Sequence, residues 1–365
     1  MICVSFCRSE VERMCGLAGM MFADGRRVSG EAIIRAMSNM RDRGNGLGGG
    51  FAAYGIYPEY KDAYAFHVMY YSTPAKDEVD AVLDVHFDVL RSEPIPTDRS
   101  VALPQSPELL WRYFLVPSRR ALDAMGAVND ADMVTEVVMR INSRPERDAF
   151  VFSSGKNMGA FKAVGYPEDV GRFYRLHEYE GYIWTGHSRF PTNTQGWWGG
   201  AHPFTLLDWS VVHNGEISSY GINKRYLEMF GYRCTLQTDT EVIAYLLDLL
   251  IRRHGLSIED ACEVMAAPFW KDVDRSCDEK ARTLRMVYSS ALVNGPFAIV
   301  FAHSRGMVGF NDRVKLRPMV AATKDDGLFV ASEEAAILEL CGNPDRVWSP
   351  PAGKPVIGWL KDGVA

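Results

Sequence analysis

Cys15 directly follows Met14 and opens a short apolar run from Leu17 to Phe22. If the chain is cut after Met14, Cys15 becomes the N-terminal residue and carries a thiol and a free α-amine on one carbon. An amine with a pKa of about 7.7–8.0 is partly neutral at pH 7 and can take the thiol proton. One residue then supplies both nucleophile and base. Taken by itself, a free cysteine is as well explained as a small buried hydrophobe.

Three polar clusters lie far downstream. They are Gly186-His187-Ser188-Arg189-Phe190-Pro191-Thr192-Asn193, Val211-Val212-His213-Asn214-Gly215-Glu216-Ile217 and Gln237-Thr238-Asp239-Thr240-Glu241. Each falls where an apolar strand-like run ends or a helix begins, which is where side chains and free N–H groups face a site. Asn214 and Gly215 suit an oxyanion, because a side-chain N–H and a backbone N–H can converge on one oxygen and glycine permits a close approach. Read alone, Asn-Gly more commonly means a two-residue hairpin turn.

The elements that must position these residues follow from periodicity. Cys15–Phe22 reads as a strand, Gly30–Met40 as a short helix, and Arg43–Gly50 as a tight glycine-rich loop. Residues 64–148 change character and read as an α+β insertion. They hold a strand at 65–71, a helix at Val79–Leu90 with Val79, Val82, Leu83, Val85, Val89 and Leu90 largely on one face, a strand at Leu109–Val116, and a helix at Asp130–Ile141. Phe150–Ser153 and Ala160–Val164 read as a hairpin joined by Ser154-Gly155-Lys156-Asn157, which lacks the glycine spacing of a phosphate-binding loop. Strands are expected at Tyr182–Thr185, Trp209–His213 and Phe297–Ala302. Thr238 and Glu241 form a capping box ahead of a helix at Val242–Leu250, and Ser332–Ala335 fits a helix start.

Bulk properties exclude several classes. The 365 residues exceed the usual single-domain length and can bury a large core. A net charge of −6 gives no general basic surface, so nucleic acid is not an expected partner. No apolar run is long enough to span a bilayer, and residues 1–13 are too short and polar for a standard secretory signal. The seven cysteines show no Cys-x-x-Cys pair, which argues against a zinc or iron–sulfur site and suits a reducing, cytoplasmic location.

In their order along the chain these segments resemble the class II glutamine amidotransferases, the N-terminal-nucleophile family. The likeness is greatest to the amidotransferase part of glutamate synthase. It is carried by Cys15, by His187-Ser188-Arg189-Phe190-Pro191-Thr192-Asn193-Thr194, by Trp197, by Ala201-His202-Pro203-Phe204 and by His213-Asn214-Gly215-Glu216-Ile217. Smaller matches lie at Arg43-Gly44-Asn45-Gly46, Asn294-Gly295-Pro296-Phe297-Ala298, Asp312-Arg313 to Arg317-Pro318, and Ala331-Ser332-Glu333. The resemblance spans roughly 14–50 and 150–340.

The resemblance implies an α+β fold, a four-layer α-β-β-α sandwich. Residues 1–14 would be a removed leader, 15–345 the amidotransferase domain and 346–365 a C-terminal tail. Cys15, Asn214 and Gly215 would be catalytic. Arg189 would grip the α-carboxylate of L-glutamine and Asp239 its α-ammonium group, with Thr192 and His213 also on the substrate side and His187 and His213 orienting through hydrogen bonds. Thr194–Gly200 would close over the substrate. No cofactor or metal is expected in this chain, although His187, His202 and His213 form a weaker zinc alternative. Ammonia would pass to a partner synthase subunit carrying FMN and iron–sulfur clusters, as in glutamate synthase. The alternatives are an N-methylglutamate synthase subunit, a stand-alone hydrolase of another γ-glutamyl amide, and a non-catalytic regulatory module.

Overall fold

The computed structural model describes residues 14–190, 196–236 and 238–363. It is an α+β fold with two large antiparallel sheets. The first has seven strands in the order Arg346–Trp348, Val320–Lys324, Gly327–Ala331, Gly16–Phe22, Ile183–Ser188, Gly49–Tyr54, Met158–Ala163. The second has five, in the order Phe204–Leu206, Trp209–Gly215, Phe297–His303, Gly306–Asn311, Val356–Trp359.

Gly16–Phe22 is buried along its whole length because both faces of its sheet are covered. Side chains alternate across a strand. Ala18, Met20 and Phe22 enter one core with Ile33, Ala36 and Met37 of the helix Glu31–Ser38 and with Ala336 and Ile337 of the helix Glu334–Cys341. Leu17 and Met21 enter another core with Val212, Ala298, Val300 and Met307 of the second sheet. The far face of that second sheet, with Val211, Ile299, Phe301 and Val308, packs against the helix Asp239–Leu247 through Val242, Ile243 and Leu246.

Residues 64–148 contribute to a four-stranded antiparallel sheet, in the order Phe87–Pro94, Leu109–Pro117, Tyr64–Tyr70, Ala149–Ser153. Its alternate residues join both neighbouring cores: Phe66, Val68 and Tyr70 join one, Ala65 and Met69 the other. Two expectations fail here. The helix expected at Val79–Leu90 is Thr73–His86, and Phe87–Pro94 is a strand. Ser72 caps the helix by accepting from Ala75 N, Val79 and Leu83 are buried, and Val85 and Leu90 face solvent. The apolar periodicity ran through a helix and into the solvent side of an edge strand. The expected hairpin across 150–164 does not form either. Ala149–Ser153 pairs with Tyr64–Tyr70 and Met158–Ala163 with Gly49–Tyr54, so Ser154–Asn157 carries the chain from one sheet to the other.

Beside the start of Gly16–Phe22, Ser332 N donates to Leu17 O at 2.9 Å and Leu17 N donates to Ser332 Oγ at 3.2 Å. Ser332→Ala strands a buried N–H one residue from Gly16. A loss of about 1–3 kcal/mol in denaturant unfolding is expected, and an unchanged midpoint would contradict this role.

Candidate active site

Gly16 is paired with Ser188 at the last rung of an antiparallel ladder. Cys15 and Arg189 are the next residues on the two strands, so they leave the sheet side by side. Phe190 N donates to Cys15 Sγ at 3.2 Å. The glycine-rich turn clasps the Arg189 backbone: Asn45 N donates to Arg189 O at 3.2 Å and Arg189 N to Gly48 O at 2.8 Å. Arg43 Nε donates to Cys15 O at 3.2 Å, while its guanidinium pairs with Glu333 Oε1 at 2.7 Å. The loop expected at Arg43–Gly50 is therefore in place as far as Gly48, and Gly49–Tyr54 is already strand.

The second sheet brings in His213, Asn214 and Gly215 as the last residues of Trp209–Gly215. Asn214 pairs with Ala298 and Gly215 with Phe297, so Asn-Gly is a strand end here and not a hairpin turn. His187 Nε2 meets His213 O at 2.7 Å and joins the two sheets beneath the site. Gly215 has φ +140°, and a Cβ there would stand 1.9 Å from Pro296 O. Asn214 is buried, and its Nδ2 has no hydrogen-bond partner among the described residues. Buried amide donors are rarely left unused, and this one carries an unused N–H.

Asp239 is the first residue of the helix Asp239–Leu247. Its Oδ2 accepts from Ile217 N at 2.9 Å and its Oδ1 from Thr240 Oγ1 at 3.1 Å. Burial opposes ionisation, but His213, the Ile217 N–H and the Thr240 hydroxyl outweigh it and hold the carboxyl below its ordinary range. The expected capping box is only half formed. Thr238 Oγ1 accepts from Thr240 N, whereas the Glu241 carboxylate turns back to Thr235 N and Leu236 N. The helix also changes character at Asp248–Arg253, which is a π-helical turn.

Burial pushes the Cys15 thiol up, opposed by the Phe190 N–H and Arg189. The thiol is therefore protonated at neutral pH and needs a base. The buried histidines nearby are poor ones. Burial lowers His187 to about 3 and pushes His202 well below its ordinary value. In the uncut chain the Cys15 nitrogen is a peptide nitrogen bonded to Met14. Burial lowers Arg189, opposed electrostatically by Cys15, Asp239 and Glu216. His187 and His202 stack with centroids 3.9 Å apart, and among the described residues no group of three metal-ligating side chains has the geometry to hold an ion.

Thr192 lies outside the described residues, as do Pro191, Asn193, Thr194 and Gln195. The described part of the expected closing loop is packed. Trp198 is buried and its Nε1 donates to Pro104 O at 2.7 Å, and Trp197 lies so close over Gly199 and Gly200 that a Cβ on either would meet its ring within 2.5 Å. Sequence reasoning gave no role to Thr240 or Lys162 and read Glu241 as a helix cap. Lys162 is buried, donates to Gly199 O and Pro203 O, and is lowered by burial to about 7. A lysine in an otherwise apolar strand, Met158–Ala163, was the available signal.

The model of the family described as glutamine amidotransferases class-II matches residues 132–348. The chain belongs to that family. An uncharacterised protein of Archaeoglobus fulgidus is 55% identical over 353 residues, covering 95% of this chain and 92% of that protein. A glutamine amidotransferase-like protein of Rhizobium meliloti is 28% identical over 346 residues, 92% of this chain and 95% of its own length. The glutamine--fructose-6-phosphate aminotransferase of Sulfurisphaera tokodaii is 33% identical over 211 residues, 57% of this chain but 31% of that enzyme. Among solved structures, the glutamine phosphoribosylpyrophosphate amidotransferase of B. subtilis aligns with a TM-score of 0.47 at 16% identity, over 94% of this chain and 47% of that one. Among the described residues no helix is long and apolar enough to cross a membrane.

Two outcomes follow for this class II amidotransferase. Gly215→Ala should abolish activity, because the strained φ and the contact with Pro296 O must shift the strand end; wild-type turnover would refute the close-packing argument. His187 and His202 are neutral when folded and titrate near 6.5 when unfolded, so the unfolded chain binds the extra protons below that pH. Stability should fall as pH drops below 6.5, by about 1.4 kcal/mol per pH unit for each histidine. His187→Gln keeps the donor to His213 O and should flatten the slope measured by urea unfolding; an unchanged slope would contradict the assignment.

Proposed function

We propose that this chain is a glutaminase subunit that hydrolyses L-glutamine to glutamate and ammonia through a Cys15 thioester. The observation that carries the reading is the emergence of Cys15 and Arg189 together from paired strands, with Asp239 within electrostatic reach of both.

After cleavage between Met14 and Cys15 the freed α-amine takes the thiol proton. The thiolate attacks the side-chain carbonyl carbon of glutamine. Asn214 Nδ2 and Gly215 N donate to the tetrahedral oxyanion, the amine returns the proton to the departing nitrogen, and ammonia leaves. Water then attacks the thioester with the same amine as base, which releases glutamate and the thiol. Arg189 and Asp239 hold the carboxylate and ammonium of the substrate, with Thr192 and His213 on the same side. The catalytic domain is 15–345, the insertion at 64–148 is an elaboration of it, and the layering of sheets and helices is that of the four-layer N-terminal-nucleophile sandwich.

The order of His187–Thr194, Ala201–Phe204 and His213–Ile217 supports a glutamate synthase-like assembly. In it, ammonia passes to a partner subunit that binds FMN and iron–sulfur clusters. Purification with the partner, followed by assay for glutamate made from 2-oxoglutarate, tests this. Rapid glutaminase turnover by the isolated chain, unaffected by any flavoprotein, would favour a stand-alone hydrolase.

Active protein should begin at Cys15 by intact mass, and full activity with Met14 attached would overturn the mechanism. Asn214→Ala should lower kcat by about 10²–10³ with little change in KM, whereas Arg189→Lys should mainly raise KM. A near-normal kcat for Asn214→Ala would remove the residue from the oxyanion site.

A further inference from the structure

Thr240 Oγ1 lies 3.0 Å from His202 Nε2, 3.0 Å from His213 Nδ1 and 3.1 Å from Asp239 Oδ1. Three groups from three parts of the chain thus converge on one hydroxyl, and His202, His213 and Thr240 are all buried. A hydroxyl has one proton to give and two lone pairs to fill. If the proton went to either imidazole, the Thr240 oxygen would face the Asp239 carboxylate oxygen as acceptor against acceptor. The imidazole that received it would also carry its own hydrogen on the opposite nitrogen. Those nitrogens, His202 Nδ1 and His213 Nε2, are buried and without partners among the described residues. A buried N–H left unmade costs about 1–3 kcal/mol. One arrangement avoids the clash of acceptors and leaves lone pairs rather than N–H groups unpaired on the far nitrogens. Thr240 donates to Asp239 Oδ1 and accepts from His202 Nε2–H and His213 Nδ1–H. His187 is fixed in the same sense, since its Nε2 faces the carbonyl of His213 and must donate.

We propose that Thr240 is a positioning residue for the Asp239 carboxylate: its one proton goes to Oδ1, its two lone pairs fix His202 as the Nε2–H and His213 as the Nδ1–H tautomer, and the carboxylate is thereby aimed at a substrate ammonium group. Ile217 N holds the other oxygen, Oδ2. With Ile217 N on Oδ2, Thr240 Oγ1 on Oδ1 and His213 Nδ1 3.7 Å from Oδ1, the carboxylate is restrained from rotating. His213 immediately precedes Asn214, so the same hydroxyl ties the ammonium end of the pocket to the strand end that carries the proposed oxyanion donor.

The inference rests on the glutaminase reading for its functional half and on hydrogen-bond arithmetic for its structural half, and the two are tested separately. Long-range ¹H–¹⁵N correlation spectra of the intact protein report histidine tautomers without any assay. The Nε2–H form of His202 and the Nδ1–H form of His213 are expected, and the opposite tautomer at either would overturn the wiring. For function, Thr240→Val keeps the shape and deletes the hydroxyl, while Thr240→Ser restores it. With glutamine, Thr240→Val should raise KM at least tenfold with kcat changed less than threefold, and Thr240→Ser should return KM to within threefold of wild type. With glutaramate, which is glutamine without its α-amino group, Thr240→Val should leave KM unchanged. An equal effect on both substrates, or equal loss in the valine and serine variants, would show a merely structural role. If Thr240→Val fails to fold, Thr240→Ala gives the same substrate comparison. A wild-type enzyme inert towards glutamine would instead overturn the glutaminase reading, leaving the tautomer result to stand or fall by itself.

Discussion

The register between Gly16–Phe22 and Ile183–Ser188 is the constraint on which the rest of the site depends. A one-residue slip would turn every side chain of Gly16–Phe22 to the opposite face. Ala18, Met20 and Phe22 would then leave the helix-covered core, and Leu17 and Met21 the core between the sheets. Both faces are buried, so both cores enforce the same register. Its consequence at the end of the ladder is that Cys15 stands beside Arg189. The placement of Cys15 beside Arg189 is thus set by hydrophobic packing along the strand.

Several polar groups around that end are buried and held by specific partners. A neutral His187 links the two sheets, and Asp239 stays ionised because His213 and the donors around it outweigh burial. Further back, Lys162 holds the carbonyls of Gly199 and Pro203, and Glu241 holds the N–H groups of Thr235 and Leu236. Burial moves Lys162 down and Glu241 up, each to about 7. These two side chains brace the approaches to His202 and to Asp239. Removing one partner of such a group leaves an uncompensated polar atom in the interior, so the residues behind the site are under as much physical constraint as those that face it.

Much of this was readable from residue types. The strand at Cys15–Phe22, the glycine-rich turn, the strand ending in His213-Asn214-Gly215 and the helix opening at Asp239 have local causes: apolar runs, turn residues and a threonine cap. What was not readable depended on partners distant in sequence. Ala149–Ser153 and Met158–Ala163 look like a hairpin because only four residues separate them, yet each finds a better partner in a different sheet. Val89 and Leu90 extend a helical pattern but lie on an exposed edge strand. Glu241 has capping-box spacing, but two other N–H groups reach its carboxylate. Thr240 looked like an ordinary first-turn residue, and nothing in its sequence neighbourhood announces that two histidines from a strand and a loop end on its hydroxyl.

The most direct test of the central claim is to catch the covalent intermediate. Protein processed to begin at Cys15 would be mixed with isotope-labelled glutamine, quenched in acid within the turnover time, digested and analysed by mass spectrometry. The account predicts one labelled glutamyl group, sensitive to hydroxylamine, on the peptide that begins with Cys15. A glutamyl adduct on any other residue, or rapid release of ammonia with no adduct on Cys15 under conditions where deacylation is slowed, would contradict it.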